Sequence, residues 1–240
     1  MSANAPSSIL VQQSSRRGQL GLLMMIAALH CLAECVPASA ELVPPSASVP
    51  LNALSFNGQR AQGVEITEPL ASPFNVEEQM TVEAWVNVSA WSRRFQSIVT
   101  KGSAWGIVRA DDQSRIAFRT TQSGPAAGVH DLVSTTLFPL GQWTHVAAVW
   151  TGSRKQLYIN GVLVADAAYT GGIASTSYPV VIGGDAESTD RTLQGVVDSV
   201  RIWSLARTGE KLNGMATEYL RGSEPGLIGD WRLNENAGVV

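Results

Sequence analysis

Apolar and polar positions alternate with a period of two through residues 79–88 (QMTVEAWVNV). Met80, Val82, Ala84, Val86 and Val88 fall on one face of an extended chain, and Thr81, Glu83, Trp85 and Asn87 on the other. That pattern predicts a strand with one face in a core and the other on an outer or concave surface. Residues 137–166 (LFPLGQWTHVAAVWTGSRKQLYINGVLVAD) carry three apolar runs. The first, 143–150, is β-branched and aromatic. A polar break at 151–155 separates it from 156–159, and Asn160-Gly161 separates that run from 162–164. Asn-Gly favours the type I′ turn, whose two central residues both need positive φ. The stretch therefore predicts strand, loop, strand, tight turn, strand: an antiparallel meander ending near Asp166.

Shorter runs predict strands at 51–56, 64–66, 97–100, 106–110, 115–121, 180–182, 193–203 and 227–233, with Asp111-Asp112-Gln113 as a turn. Residues 122–130 are rich in glycine and alanine and read as a loop long enough to bind a ligand. Residues 169–177 and the acidic stretch 183–190 also read as loops. Thr208 is an N-cap candidate with Glu210 in the first turn. Leu212, Met215, Ala216 and Leu220 recur at helical spacing, so 208–220 predicts one short amphipathic helix.

Several of these blocks, taken in order, resemble the concanavalin A-like lectin/glucanase superfamily in its laminin-G-like branch, with pentraxins as relatives. They are ALSFNG at 53–58, MTVEAWV at 80–86, the meander, VIGGDAESTDRTLQGVVDSVRIWSLA at 181–206 and EPGLIGDWRL at 224–233. The resemblance covers most of residues 51–233. It implies an all-β fold, an antiparallel two-sheet jelly-roll sandwich with one short C-terminal helix. The fold hosts lectins, hydrolases and adhesion modules alike, so it leaves function to the site.

The chain has 240 residues and a net charge of −3, enough for one sandwich domain with a sizeable core. No basic patch points to nucleic acid. Arg16 and Arg17 precede an apolar run at 21–29, and Ala38-Ser39-Ala40 suits signal peptidase. The expected organisation is a signal peptide at 1–40, a proline- and serine-rich linker at 41–50, the jelly-roll domain at 51–235 and a tail at 236–240. Both cysteines, Cys31 and Cys35, fall in the leader, so the mature domain holds no disulfide. The expected location is secreted, periplasmic or cell-surface, with no membrane span in the mature form.

Hydrolases of this superfamily carry closely spaced carboxylates on one strand, to serve as nucleophile and acid. Glu83 and Asp198 each stand alone, and no Ser/His/Asp or metal-hydrolase spacing appears. His145, in Trp143-Thr144-His145-Val146, is expected to be a hydrogen-bonding core residue. Catalytic residues are therefore expected to be none. Sugar binding asks for exposed aromatics. Trp85, Trp143, Trp150 and Trp203 sit in strand motifs and are expected in the core. Trp91, Phe95, Trp105, Tyr169 and Tyr178 lie in or beside loops, and Trp91, Trp105, Tyr169 and Tyr178 are the ligand-binding candidates. Gly183-Gly184-Asp185-Ala186-Glu187 aligns with a pentraxin calcium loop, so the resemblance implies Asp185 and Glu187 as metal ligands. The stretch Gly102-Ser103-Ala104 stands where pentraxins supply an acidic partner loop, so any Ca²⁺ site is expected to be weak, in the roughly 10⁻⁴–10⁻³ M range. Asp198 is a further metal candidate on the convex side. The reading is a noncatalytic module that binds an extracellular glycan or protein ligand through rim loops. The rivals are an adhesion or structural module and a divergent glycoside hydrolase.

Overall fold

The computed structural model describes residues 53–67, 72–128, 130–215 and 220–233. The expected leader, linker and C-terminal tail lie outside the described residues, as do 216–219 of the expected helix. Among the described residues, fourteen strands form two antiparallel sheets. One holds β1 (Leu54–Asn57), β3 (Met80–Val88), β7 (Gln122–Gly128), β9 (Thr144–Trp150), β10 (Arg154–Ile159), β11 (Val162–Ile173), β13 (Gln194–Trp203) and β14 (Leu227–Trp231). Its order is β1-β13-β3-β9-β10-β11-β7, with β14 also paired to β13. The other sheet holds β2 (Val64–Ile66), β4 (Ser97–Lys101), β5 (Trp105–Arg109), β6 (Ile116–Thr120), β8 (Asp131–Val133) and β12 (Val180–Ile182), in the order β2-β12-β4-β5-β6-β8. This is the antiparallel two-sheet sandwich that the resemblance implies.

The meander forms as read. β9, β10 and β11 pair in succession, and Asn160 (φ 48°) and Gly161 (φ 73°) supply the two positive φ angles of the turn. Met80, Val82, Ala84, Val86 and Val88 enter the core beside Trp105, Ile107, Phe118, Val146, Trp150 and Ile202. Two expectations need correction. The meander does not end at Asp166, because β11 runs on to Ile173 and pairs with β7. Residues 122–128 and 169–173 are thus strands, not loops. Residues 122–128 hold no β-branched side chain and 169–173 contain two adjacent glycines, so pairing rather than propensity makes them strands. At Gly172 an added Cβ would lie 2.4 Å from Ser123 Oγ, so the glycine leaves room for the side chain of the facing strand.

The second correction concerns the other face of β3. Thr81, Glu83 and Trp85 are buried rather than surface-facing. Residues 205–208 and the helix α1 (Gly209–Met215) lie over this face. Thr81 Oγ1 donates to Leu205 O (2.8 Å) and accepts from Arg207 N (3.0 Å), while Ala206 and Leu212 pack on Ala147, Val149 and Tyr158. Thr208 caps the helix as expected: Lys211 N donates to its Oγ1 at 3.4 Å. Beneath this cover, His145 Nε2 lies 3.1 Å from Glu83 Oε2, and Trp203 Nε1 donates to Glu83 Oε1 at 2.8 Å. Burial alone raises the Glu83 pKa. The bond and charge of His145, the charge of Arg201 and the Trp203 bond outweigh it and hold the carboxyl below its ordinary value. His145 is thus the buried hydrogen-bonding residue expected, and the Glu83 carboxylate is committed to structure.

A second buried charge bridges the sheets. Lys155 on β10 is fully buried; its Nζ donates to Thr120 Oγ1 on β6 (3.0 Å) and to His130 O. The rings of Phe118 and Tyr169 flank it at 4.8 and 5.0 Å. Burial lowers its pKa to about 7, against the opposing pull of Asp131.

Candidate functional site: an arginine–aspartate rim

Four connections meet at one end of the β2-β12-β4-β5-β6-β8 sheet: residues 58–63, 89–96, 110–115 and 183–193. Main-chain bonds tie them together. Ala61 N donates to Thr189 O (3.0 Å), Phe95 N to Asp111 O (3.0 Å), Ser97 N to Arg191 O (2.8 Å) and Ser89 N to Gln194 O (2.9 Å). Three of the joined residues have positive φ without being glycine: Ala61 (61°), Phe95 (56°) and Asp111 (53°). For an aromatic residue that backbone is strained, and such strain persists only where surrounding contacts enforce it.

Ion pairs cross-link the same loops. Arg60 lies 2.7 Å and Arg93 3.8 Å from Asp190. Arg94 pairs with Asp111. Beside these, Arg119 on β6 grips Asp131 on β8 through two bonds of 3.1 and 2.8 Å, and Arg191 reaches Asp185 within its own loop at 2.8 Å. The guanidiniums of Arg119, Arg94 and Arg191 gather round the Phe95 ring at 4.4, 5.4 and 5.8 Å, within cation–π range. The hydrogen bond from Arg94 holds the Asp111 carboxyl below its ordinary pKa, and the bond to Asp131 raises Arg119 above its own. The rim therefore presents fixed N–H donors and carboxylate acceptors side by side.

The sequence-predicted residues do not converge on it. Trp91 lies on the rim loop 89–96, half-buried, with its ring 5.7 Å from Phe138. Tyr178 is exposed, but at the opposite end of β12, over Gly102. Trp105 and Tyr169 are corrected: both are buried and offer no face to a ligand. Trp105 opens β5 on its inward face and bonds Phe74 O through Nε1 (3.0 Å), and Tyr169 lies in β11 under Lys155. Trp85, Trp150 and Trp203 are buried as expected, whereas Trp143 is half-buried against Trp85.

The metal candidates also separate. Asp185 and Glu187 share the loop 183–193, while Asp198 lies on β13 of the other sheet, buried and opposite Trp85, with Ser199 Oγ donating to it at 3.3 Å. The Asp185 carboxylate is almost wholly enclosed; one oxygen takes Arg191 and the other takes Glu187 N at 2.8 Å. The Gly102 turn sits at the far end of β4, where Lys101 pairs with Val180, whereas Gly183 bonds Ile98 O. The two stretches aligned as halves of a calcium site therefore cannot share an ion. The residues here do not fit the metal that the resemblance implies, because a guanidinium already neutralises the one enclosed carboxylate. Among the described residues no three His, Cys, Asp or Glu side chains form a metal-holding group.

A family model for the concanavalin A-like lectin/glucanases superfamily, Laminin_G_3, matches residues 57–213. The chain belongs to this superfamily. Mouse pappalysin-1 is 26% identical over 210 residues, a match covering 79% of this chain and 12% of that protein. The chain thus spans a small part of the curated relatives it matches. Among solved structures, a protein of Bacteroides ovatus described as a candidate carbohydrate binder superimposes with a TM-score of 0.60 at 20% identity, covering 76% of this chain and 53% of that one. Domain 4 of AbnA, an extracellular arabinanase of Geobacillus stearothermophilus solved with arabinotriose, gives 0.52 at 22%, covering 69% and 76%. At these identities the likeness establishes the fold. Among the described residues no helix is long and apolar enough to cross a membrane.

Apart from Asp185, the rim's basic and acidic residues escaped sequence reasoning, because the fold brings most of them to their partners. Arg60 and Asp190 are 130 positions apart, and Arg119 finds Asp131 only because β6 and β8 pair. The one local signal was Arg93-Arg94-Phe95, two cations and an aromatic in a loop.

Proposed function

We propose that this domain is a secreted, noncatalytic recognition module that binds carbohydrate at the rim formed by residues 58–63, 89–96, 110–115 and 183–193. The observation that carries this reading is the cross-linked set of arginine and aspartate side chains around Phe95, with Trp91 on the same loop. Sugar hydroxyls both donate and accept hydrogen bonds, and the rim offers both kinds of partner on a rigid frame. Main-chain bonds tie the loops that carry these side chains, so little loop ordering is lost on binding, which favours affinity. The superfamily membership and the carbohydrate-binding descriptions of fold neighbours support the same class of ligand. Against catalysis, the Glu83 carboxylate is enclosed by His145, Arg201 and Trp203, and Asp198 lies on another strand. A glycan array probed with the purified domain tests the reading. Binding to a coherent set of glycans, lost in Arg94→Gln, is the expected result. A blank array beside saturable binding to a protein partner would replace it with an adhesion module.

A further inference from the structure

We propose that the rim binds an uncharged, hydroxyl-rich ligand through its arginine–aspartate pairs directly, without a bridging metal ion. This rests on the carbohydrate reading above and narrows it. The charges of the rim nearly balance. Arg94 is matched by Asp111, Arg119 by Asp131 and Arg191 by Asp185, while Arg60 and Arg93 share Asp190. Arg109 turns its guanidinium to main-chain carbonyls, donating to Gln113 O at 2.9 Å and Arg93 O at 2.7 Å, with Asp112 beside it. Glu187 adds a further exposed negative charge on the neighbouring loop. Arg115 donates instead to Ser134 O and Thr135 O. Every other cation of the rim has an anion within a few ångströms, so the field beyond the rim is short-ranged.

An anionic ligand gains little from such a surface. Whichever free N–H it meets, the aspartate paired with that guanidinium lies beside it and repels it. A hydroxyl is not repelled. A guanidinium has five N–H donors and a carboxylate about four acceptor sites, so a pair joined by one or two bonds retains free positions of both kinds. One hydroxyl group can accept from the arginine and donate to the aspartate of the same pair, and vicinal hydroxyls can span adjacent pairs.

The metal-free part follows from Arg191. A cation at a sugar site can polarise hydroxyls and can hold an acidic loop in shape. Here Arg191 fills the second of these roles. It neutralises the enclosed Asp185, and its own carbonyl accepts from Ser97 N, joining the loop to β4.

The test uses the full domain with uncharged oligosaccharides (arabinan, xylan and mannan fragments) beside heparin and polygalacturonate fragments. Titrations are run at low and high NaCl, with and without EDTA. Uncharged fragments should bind, with affinity changing less than about twofold across that salt range and unaffected by EDTA. Arg94→Gln and Asp111→Asn should each weaken binding about tenfold, the loss of one charge-assisted hydrogen bond, with the melting temperature unchanged. Binding confined to the acidic fragments and steeply reduced by salt would overturn the inference while leaving carbohydrate recognition standing, as would loss of binding in EDTA. Failure of every fragment of both classes would overturn both.

Discussion

Replacing Lys155 with methionine isolates the effect of a charge buried between two sheets. The amine is enclosed by Phe118, Tyr169, Thr120 and the His130 carbonyl, and burial lowers its pKa from the ordinary 10.5 to about 7. Below that value the ammonium form is held in both the folded and unfolded chains, and the native state bears the full cost of burying it. Above it the native state releases the proton while the unfolded chain keeps it up to its own pKa. The unfolded chain then binds more protons, so stability rises with pH across the interval. The slope approaches about 1.4 kcal/mol per pH unit, and the gain between about pH 6 and about pH 9 is about 2–3 kcal/mol. Methionine matches the side chain's length and does not titrate, but it leaves Thr120 and the His130 carbonyl without their donor, at about 1–2 kcal/mol. Urea unfolding of both proteins at several pH values gives the difference directly. Wild type should gain on Lys155→Met by about 2–3 kcal/mol as pH rises over that range. A difference that stays flat, or that favours wild type more at acid pH, would refute the account of Lys155 as a buried, easily deprotonated amine.

Other substitutions probe the frame. Glu83→Gln should cost about 3–5 kcal/mol in a denaturant melt, because it leaves the buried His145 without its carboxylate and removes a negative charge near Arg201, which keeps Asp230 at 3.5 Å. Since the Glu83 pKa is lowered in the fold, its contribution is present above the ordinary carboxylate range and is lost as pH falls through the folded value. Trp105→Ala should cost about 3–5 kcal/mol, whereas Tyr178→Ala, on an exposed side chain, should stay within about 0.5 kcal/mol; equal losses would misplace the core. Gly183→Ala should destabilise by about 1–3 kcal/mol, because φ is 73° and a Cβ would fall 2.4 Å from the Phe56 ring; a neutral result would mean the rim loop yields freely.

The sandwich was legible wherever side chains alternate strongly or a turn has a specific chemistry. β3 showed its core face in five apolar residues, and Asn160-Gly161 fixed the β10–β11 hairpin. What the sequence hid came from tertiary pairing. β7 is a glycine- and alanine-rich strand only because β11 lies beside it, and the polar face of β3 is buried only because residues 205–208 and α1 cross it. Aromatic residues near predicted loops proved an incomplete guide to the site: β5 begins at Trp105 rather than at 106, and β11 runs past Asp166 to Ile173, which moves Trp105 and Tyr169 from loop to core. The rim depends on ion pairs between loops far apart in sequence, which no local pattern announces.

The central claim is that ligand recognition occurs at the rim around Phe95. Amide chemical shifts of the isotope-labelled domain, followed while an oligosaccharide identified on the array is titrated in, test it most directly. Saturable shifts should concentrate at Ala61, Arg94, Phe95, Asp111, Thr189 and Arg191, with little change at Gly102, Tyr178 or α1. Shifts centred on Tyr178 and the Gly102 turn, or on the face beneath α1, would contradict the account.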